Sequence, residues 1–182
     1  IALYHGTGAD FERPDLTHLG EGTGVAAQGH GFYTTDARDF AEFWRDHSEN
    51  KGLWDSILGR GFVYQLDYDG SETDLCDWVG PNEEAAARLY NVAKEEGLEV
   101  RENFFDTDRR TTGENMELFL SMAKKPDGTR LTQGEMRELF IKAGIDGMQE
   151  YAGEGMNNIF VFYNTEKLKV VHKWHGRKQL YS

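Results

Sequence analysis

Three short segments place hydrogen-bonding and aromatic side chains where a ligand could be held. In Leu3-Tyr4-His5-Gly6-Thr7 a strand-like run ends in an imidazole followed by a residue without a side chain. A ligand can approach the Gly6 backbone closely there while His5 offers a hydrogen bond; the plainer reading is a strand-end His satisfied by a neighbour. The second segment, His30-Gly31-Phe32-Tyr33-Thr34-Thr35-Asp36, leads into Ala41-Glu42-Phe43-Trp44. Tyr33 and Phe43 can offer two faces to a planar ring, or simply fill a core. In the third, Met156-Asn157-Asn158-Ile159-Phe160-Val161-Phe162, two amides precede an apolar strand, a pattern that also closes turns. No Ser-His-Asp set or metal-ligand spacing is evident: His5, His18, His30, His47, His172 and His175 form no metal-like pair, and the nearest, His172 and His175, sit in a basic tail.

The elements that must position these segments have their own signals. Ala2-Leu3-Tyr4 and Gly31 to Thr35 read as short strands, and between them Gly20 to Gly31 holds five glycines in twelve positions, a loop that must arch over something or move. Asp36 is positioned to cap a helix carrying Phe40, Phe43 and Trp44, whose three- and four-residue spacing predicts an aromatic face turned inward. Phe62 to Tyr68 reads as a strand ending at Asp69-Gly70. Asn82 opens a helix over Glu83 to Glu96, closed by Gly97; two more are expected over Glu114 to Lys125 and Gln133 to Ala143, split by Pro126-Asp127-Gly128. Strands return over Ile159 to Tyr163 and Leu168 to Trp174, the latter with Leu168 and Val170 inward and Lys167 and Lys169 outward. The class is α+β, a single domain over residues 1–182 with a helical insertion at about 82–143.

With 182 residues, 38% of them hydrophobic, the chain can bury one sizeable core. Its longest apolar runs fall far below the roughly 18 residues of a membrane span, no signal segment opens the chain, and Cys76 has no disulfide partner and reads as a core residue. Position 1 is Ile and a strand-like run follows at once, which fits either a piece of a longer polypeptide or a trimmed chain. A net charge of −12 excludes an indiscriminate nucleic-acid binder. No acidic residue follows Glu166, however, while Lys167, Lys169, Lys173, Arg177 and Lys178 do, a tail that could make about 3 to 5 phosphate contacts.

In their order and separation the three motifs resemble the diphtheria-toxin-like, His-Tyr-Glu branch of the ADP-ribosyltransferases. Tyr4-His5-Gly6-Thr7 is similar to the first family motif, Gly31 to Asp36 with Ala41 and Phe43 to the second, and Asn157 to Phe162 to the third. A subgroup found in phage polyvalent proteins and bacterial toxins is the nearest in pattern, through Asp10-Phe11, Gly20-Glu21-Gly22-Thr23-Gly24, Gly31-Phe32-Tyr33, Phe62-Val63-Tyr64 and Ala143-Gly144-Ile145-Asp146-Gly147.

The resemblance implies a split, two-sheet β core that clamps NAD+ in a cleft, with no metal. It implies that His5 bonds a ribose hydroxyl, the Gly6 backbone holds the nicotinamide amide, and Tyr33 and Phe43 sandwich the ring, with Thr7, Thr34, Gly24 and Gln28 completing the cofactor contacts. Asn158 stands where polymerase-type members carry Glu, which favours transfer of a single ADP-ribose. Glu150 and Glu154, read as loop residues, are candidates for the missing carboxylate. The expected function is an NAD+-dependent mono-ADP-ribosyltransferase, a toxin or effector acting on a protein or RNA, cytoplasmic or delivered into a target cell, with an immunity protein as partner. The alternatives are an NAD+ glycohydrolase and an inactive NAD-binding or interaction module; phosphotransfer from RNA would require basic residues near the first motif, where only Arg13 is close.

Overall fold

A computed structural model describes residues 1–16, 31–46, 61–151 and 157–176, and the backbone alone of 178–181. Eight strands run β1 (Ala2–Thr7), β2 (Phe32–Thr35), β3 (Phe62–Tyr68), β4 (Leu75–Asp77), β5 (Gly147–Glu150), β6 (Ile159–Phe162), β7 (Leu168–His175) and β8 (Lys178–Tyr181). Four α-helices accompany them among the described residues: α1 (Arg38–Asp46), α2 (Glu83–Glu95), α3 (Gly113–Met122) and α4 (Gln133–Lys142). None of the described helices is long and apolar enough to cross a membrane.

The α+β class and the grouping of helices between two sets of strands are as the sequence implies. Two separate sheets are not found among the described residues. The strands form one mixed sheet, ordered β4-β5-β6-β2-β1-β3-β7-β8, in which only the β4/β5 pair is parallel. Its centre is nonetheless a near-split. β1 pairs with β3 along its whole length, from Ala2 opposite Asp67 to Thr7 opposite Phe62, and β2 pairs with β6 over all four of its residues. Between β1 and β2 a single register pair, Tyr4 opposite Thr35, joins the halves.

Strand alternation divides the side chains between two faces. On one face Leu3, Phe32, Tyr64, Leu66, Leu75, Phe160, Phe162 and Leu168 form a buried cluster with Phe11 and Leu16 against it. On the other, Met148 and Cys76 meet Leu89, Met116, Phe119, Leu120 and Phe140 from α2, α3 and α4. Each such side chain contributes about 1.5–3 kcal/mol by leaving water. Burial pushes the Cys76 thiol up to about 12, so it stays protonated as the core residue expected of it.

Local signals place most of these elements. A capping box links Thr132 and Glu135 at the start of α4, and Thr112 caps α3. Asn82 stands before α2 but makes no cap bond; its amide accepts from Asp77 N–H and donates to the Asp77, Gly80 and Thr111 carbonyls, fastening the helix to β4. α3 stops at Met122 rather than Lys125 because Lys124 leaves to exchange backbone bonds with Glu99. β7 does not alternate cleanly: a bulge between Lys173 and Trp174 leaves both buried, and Lys173 pairs with Asp10.

α1 differs most from expectation. Its inward residues are Ala41, with no exposure, and Arg45, whose guanidinium donates to the Gly176 carbonyl and Asp46. Phe40 and Trp44 are half-buried and Phe43 is 52% exposed, so the aromatic face is not the packed one. The cause is Gly6: a Cβ there would lie 1.7 Å from the Ala41 carbonyl oxygen, so α1 crosses β1 with its smallest residue against the strand's bare Cα.

Candidate functional site

The near-split between β1 and β2 gathers the first two motifs. Past Tyr4 and Thr35 the strands carry no ladder pairing to each other, so the backbone edges from His5 to Thr7 and from Phe32 to Thr34 face each other across a gap in the ladder. The His5 side chain bonds across it. His5 Nδ1 lies 2.6 Å from the Tyr33 carbonyl oxygen. A carbonyl only accepts, so Nδ1 carries the proton and Nε2 is left as a bare acceptor. The ring is half-buried, stacked on Phe32 at 4.3 Å with Phe11 at 6.0 Å. Desolvation outweighs the carbonyl bond and lowers its pKa from 6.5 to about 4. At neutral pH His5 is therefore an uncharged imidazole whose second nitrogen can accept from a hydroxyl.

His5 and Tyr33 do not share a face. His5 lies with the Phe32 and Tyr64 cluster, whereas Tyr33 alternates with the buried Phe32 and Thr34 and turns toward the helical layer, close enough to raise the pKa of Tyr163. Tyr163 is buried, donates to Glu117 at 2.5 Å and stacks on Phe140. Burial is the larger cause of its raised pKa, followed by Glu117. α1 packs on this same face through Gly6, so Tyr33 and α1 lie on the side opposite His5; Phe43 is 52% exposed there, with its ring against Phe40 at 6.2 Å.

The other expected contacts divide. Thr7 accepts from Ala9 N–H and turns the chain after β1. Thr34 is fully buried and donates to the Phe160 carbonyl, so it fastens β2 to β6 and its hydroxyl is not open to a ligand. Gly6 is buried with its Cα face against α1; what it can offer a ligand is its backbone edge, and the absent side chain serves the helix. Gly24, Gln28 and Glu154 lie outside the described residues. Glu150 is not on a loop: it ends β5, opposite Ile159.

Asn158, one residue before β6, is held by a group that its sequence position assigned elsewhere. Asp36 does not cap α1, whose first turn hangs from the Ala37 carbonyl. Its carboxylate instead accepts from Asn158 N–H at 3.0 Å and from Asn158 Nδ2 at 2.7 Å. Asn158 Oδ1 is buried and meets no donor among the described residues. Sequence reasoning missed this pairing because the two residues are 122 positions apart; the available signal was an Asp placed where the second motif ends, level with the amides of the third.

The segment after β1 is fixed onto the His5 face. Tyr64 accepts from Phe11 N–H at 2.9 Å, donates to the Ala9 carbonyl at 3.2 Å and stacks on Phe11 at 3.9 Å. The buried Lys173 ammonium pairs with Asp10 and lies 4.6 Å from the Phe62 ring centre. An uncharged imidazole, two backbone edges with no ladder between them and an aromatic ledge thus adjoin one another, while the oriented amide of Asn158 lies level with Asp36, on the other side of the Tyr4/Thr35 pair. These groups can hydrogen-bond and stack on a polar, planar ligand. Comparison with protein-family models, with curated proteins and with solved structures returns no match.

Proposed function

We propose that this chain is an NAD+-dependent mono-ADP-ribosyltransferase of the diphtheria-toxin-like type, a toxin or effector that transfers ADP-ribose to a macromolecular acceptor and releases nicotinamide. The observation that carries the reading is the β1/β2 ladder reduced to one register pair, with His5 bonded from β1 to the Tyr33 carbonyl of β2. In this reading the neutral His5 accepts a ribose hydroxyl at Nε2. The Gly6 backbone, beyond the β1/β2 register pair, suits a primary amide, which requires one donor and one acceptor in a plane. In the same reading Tyr33, on the face opposite His5, and Phe43, exposed on α1, are the aromatic groups for the ring, and Asn158 Oδ1, which has no donor among the described residues, is a further acceptor. The reaction these groups serve is dissociative: the bond from nicotinamide nitrogen to ribose C1′ lengthens, nicotinamide leaves with the bonding pair, and the acceptor attacks the oxocarbenium carbon and loses a proton.

Asn158 brings no full charge to the developing cation, so the reading is transfer of one ADP-ribose without chain elongation. The acceptor is a protein or an RNA, and an immunity protein is the expected partner in a producing cell. Incubation with labelled NAD+ in a bacterial lysate, followed by separate protease and ribonuclease digestion, is expected to release label under one treatment only. His5→Ala and Tyr33→Ala are each expected to lower incorporation at least about tenfold, the cost of about 1.4 kcal/mol of transition-state binding. Unchanged NAD+ turnover in both variants overturns the proposal, and nicotinamide release that the lysate does not increase assigns water as the acceptor.

A further inference from the structure

We infer that Asp36 is a positioning residue that fixes which end of the Asn158 amide is presented to the ligand. The inference rests on Asn158 belonging to the nucleotide site proposed above, and it adds a residue to which the three motifs give no such role. An amide side chain has two nearly isosteric ends of opposite hydrogen-bonding sense. Here the choice is forced. Asp36 Oδ1 accepts from the Asn158 backbone N–H and Oδ2 from its Nδ2, at 3.0 and 2.7 Å. A carboxylate offers only acceptors, so rotating the amide by half a turn would set oxygen against oxygen. The NH2 group is therefore held on Asp36 and the carbonyl oxygen is turned away from it, to where it is buried without a donor among the described residues.

A buried acceptor left unmatched forfeits its hydration, so the arrangement is unfavourable until a donor arrives. A ribose hydroxyl is such a donor. The family's Glu accepts from that hydroxyl with its own charge; in this chain a neutral acceptor is oriented by a carboxylate placed behind it. Asp36 thus fixes the direction of the bond without touching the ligand.

Substitution of Asp36 separates orientation from support. In Asp36→Asn the single oxygen of the new side chain is required by the Asn158 backbone N–H, so the introduced NH2 faces the Asn158 side chain. That amide then rotates to accept, and its own NH2 faces the ligand. The fold keeps both hydrogen bonds while the site changes from acceptor to donor. The expected result is a thermal midpoint close to wild type with NAD+ turnover about 10- to 100-fold lower, on the scale of one reversed, oriented hydrogen bond. The double variant Asp36→Asn, Asn158→Asp restores an acceptor, because one oxygen of the carboxylate now at position 158 accepts from the amide at position 36 and the other faces the ligand. It is expected to recover turnover to at least the wild-type level. Wild-type turnover in Asp36→Asn alone, or no recovery in the double variant, overturns the inference.

Side-chain amide exchange by NMR provides a readout independent of NAD+. In wild type the Asn158 Nδ2 protons should exchange slowly, and in Asp36→Asn that protection should pass to the amide introduced at position 36. If the wild-type protein neither binds nor turns over NAD+ but this transfer of protection is seen, the proposed activity fails and the orientation by Asp36 stands. If protection stays on Asn158 in Asp36→Asn, the orientation fails whatever the activity.

Discussion

The imidazole of His5 shows how a residue's surroundings assign its chemistry. Its sequence offers only a His before a Gly; the Tyr33 carbonyl decides the tautomer and the Phe32 ring removes the solvent that would stabilise a charge. The folded pKa of about 4 lies below the ordinary 6.5. Between those values the unfolded chain binds more protons than the folded one, so this group's contribution to stability is complete above 6.5 and is lost as pH falls toward 4. The full difference is worth at most about 3 kcal/mol, less whatever solvent reaches the half-buried ring. An NMR titration should therefore place the His5 midpoint near 4, and His5→Asn, which keeps a donor toward Tyr33 but does not titrate, should flatten thermal stability between pH 6.5 and 4. A midpoint near 6.5 would remove the argument for a neutral imidazole at the site.

The elements that can be read in the sequence are those whose signals are local. β3 spans the expected Phe62–Tyr68, α2 ends before Gly97 at φ +76°, and α4 begins at its capping box. β4 and β5 are not legible there: three and four residues long, they exist as strands because they pair in parallel with each other across 72 positions. The aromatic spacing of α1 correctly marks one face but does not say which side of the helix faces the sheet. That depends on Gly6, in another element, and the same contact yields a test. Gly6→Ala would drive its Cβ into the Ala41 carbonyl and push α1 from β1, at a cost of about 2–3 kcal/mol. Because Phe43 rides on α1, on the proposed function any ring binding that Phe43 serves should fall with stability. Gly6→Ala together with Ala41→Gly should not restore either, since the clash is with the backbone of residue 41 and not with its methyl group. Denaturant melts of the single and double variants decide it, and a rescued double variant would place the crossing point elsewhere.

Over the whole molecule, a net charge of −12 and a basic tail point to opposite partners, and the folded positions of the cations reduce the conflict. Lys167 is bound to Asp146 at 2.7 Å, in a network where Tyr68 also donates to that carboxylate, and Lys173 is 4% exposed and paired with Asp10. Two of the five tail cations are thus committed to holding β3, β7 and the segment after β1 together, while Lys169 stands exposed on β7. If the acceptor is RNA, the tail can neutralise about 3 phosphates at most through Lys169, Arg177 and Lys178, which limits its share of the salt slope to about 2 for a single strand. Lys169→Ala should therefore reduce the slope of log affinity against log salt by about 0.7, as expected for one lost phosphate contact. Lys173→Ala should leave the slope unchanged and instead lower the thermal midpoint, by about 1–2 kcal/mol of lost pairing and ring contact. Fluorescence anisotropy on a labelled RNA across a salt series, run beside thermal melts of both variants, separates the two roles. An equal loss of slope in both would mean that Lys173 leaves its place against Phe62 to meet the phosphate backbone, and that the basic tail is a binding strip instead of a structural strand.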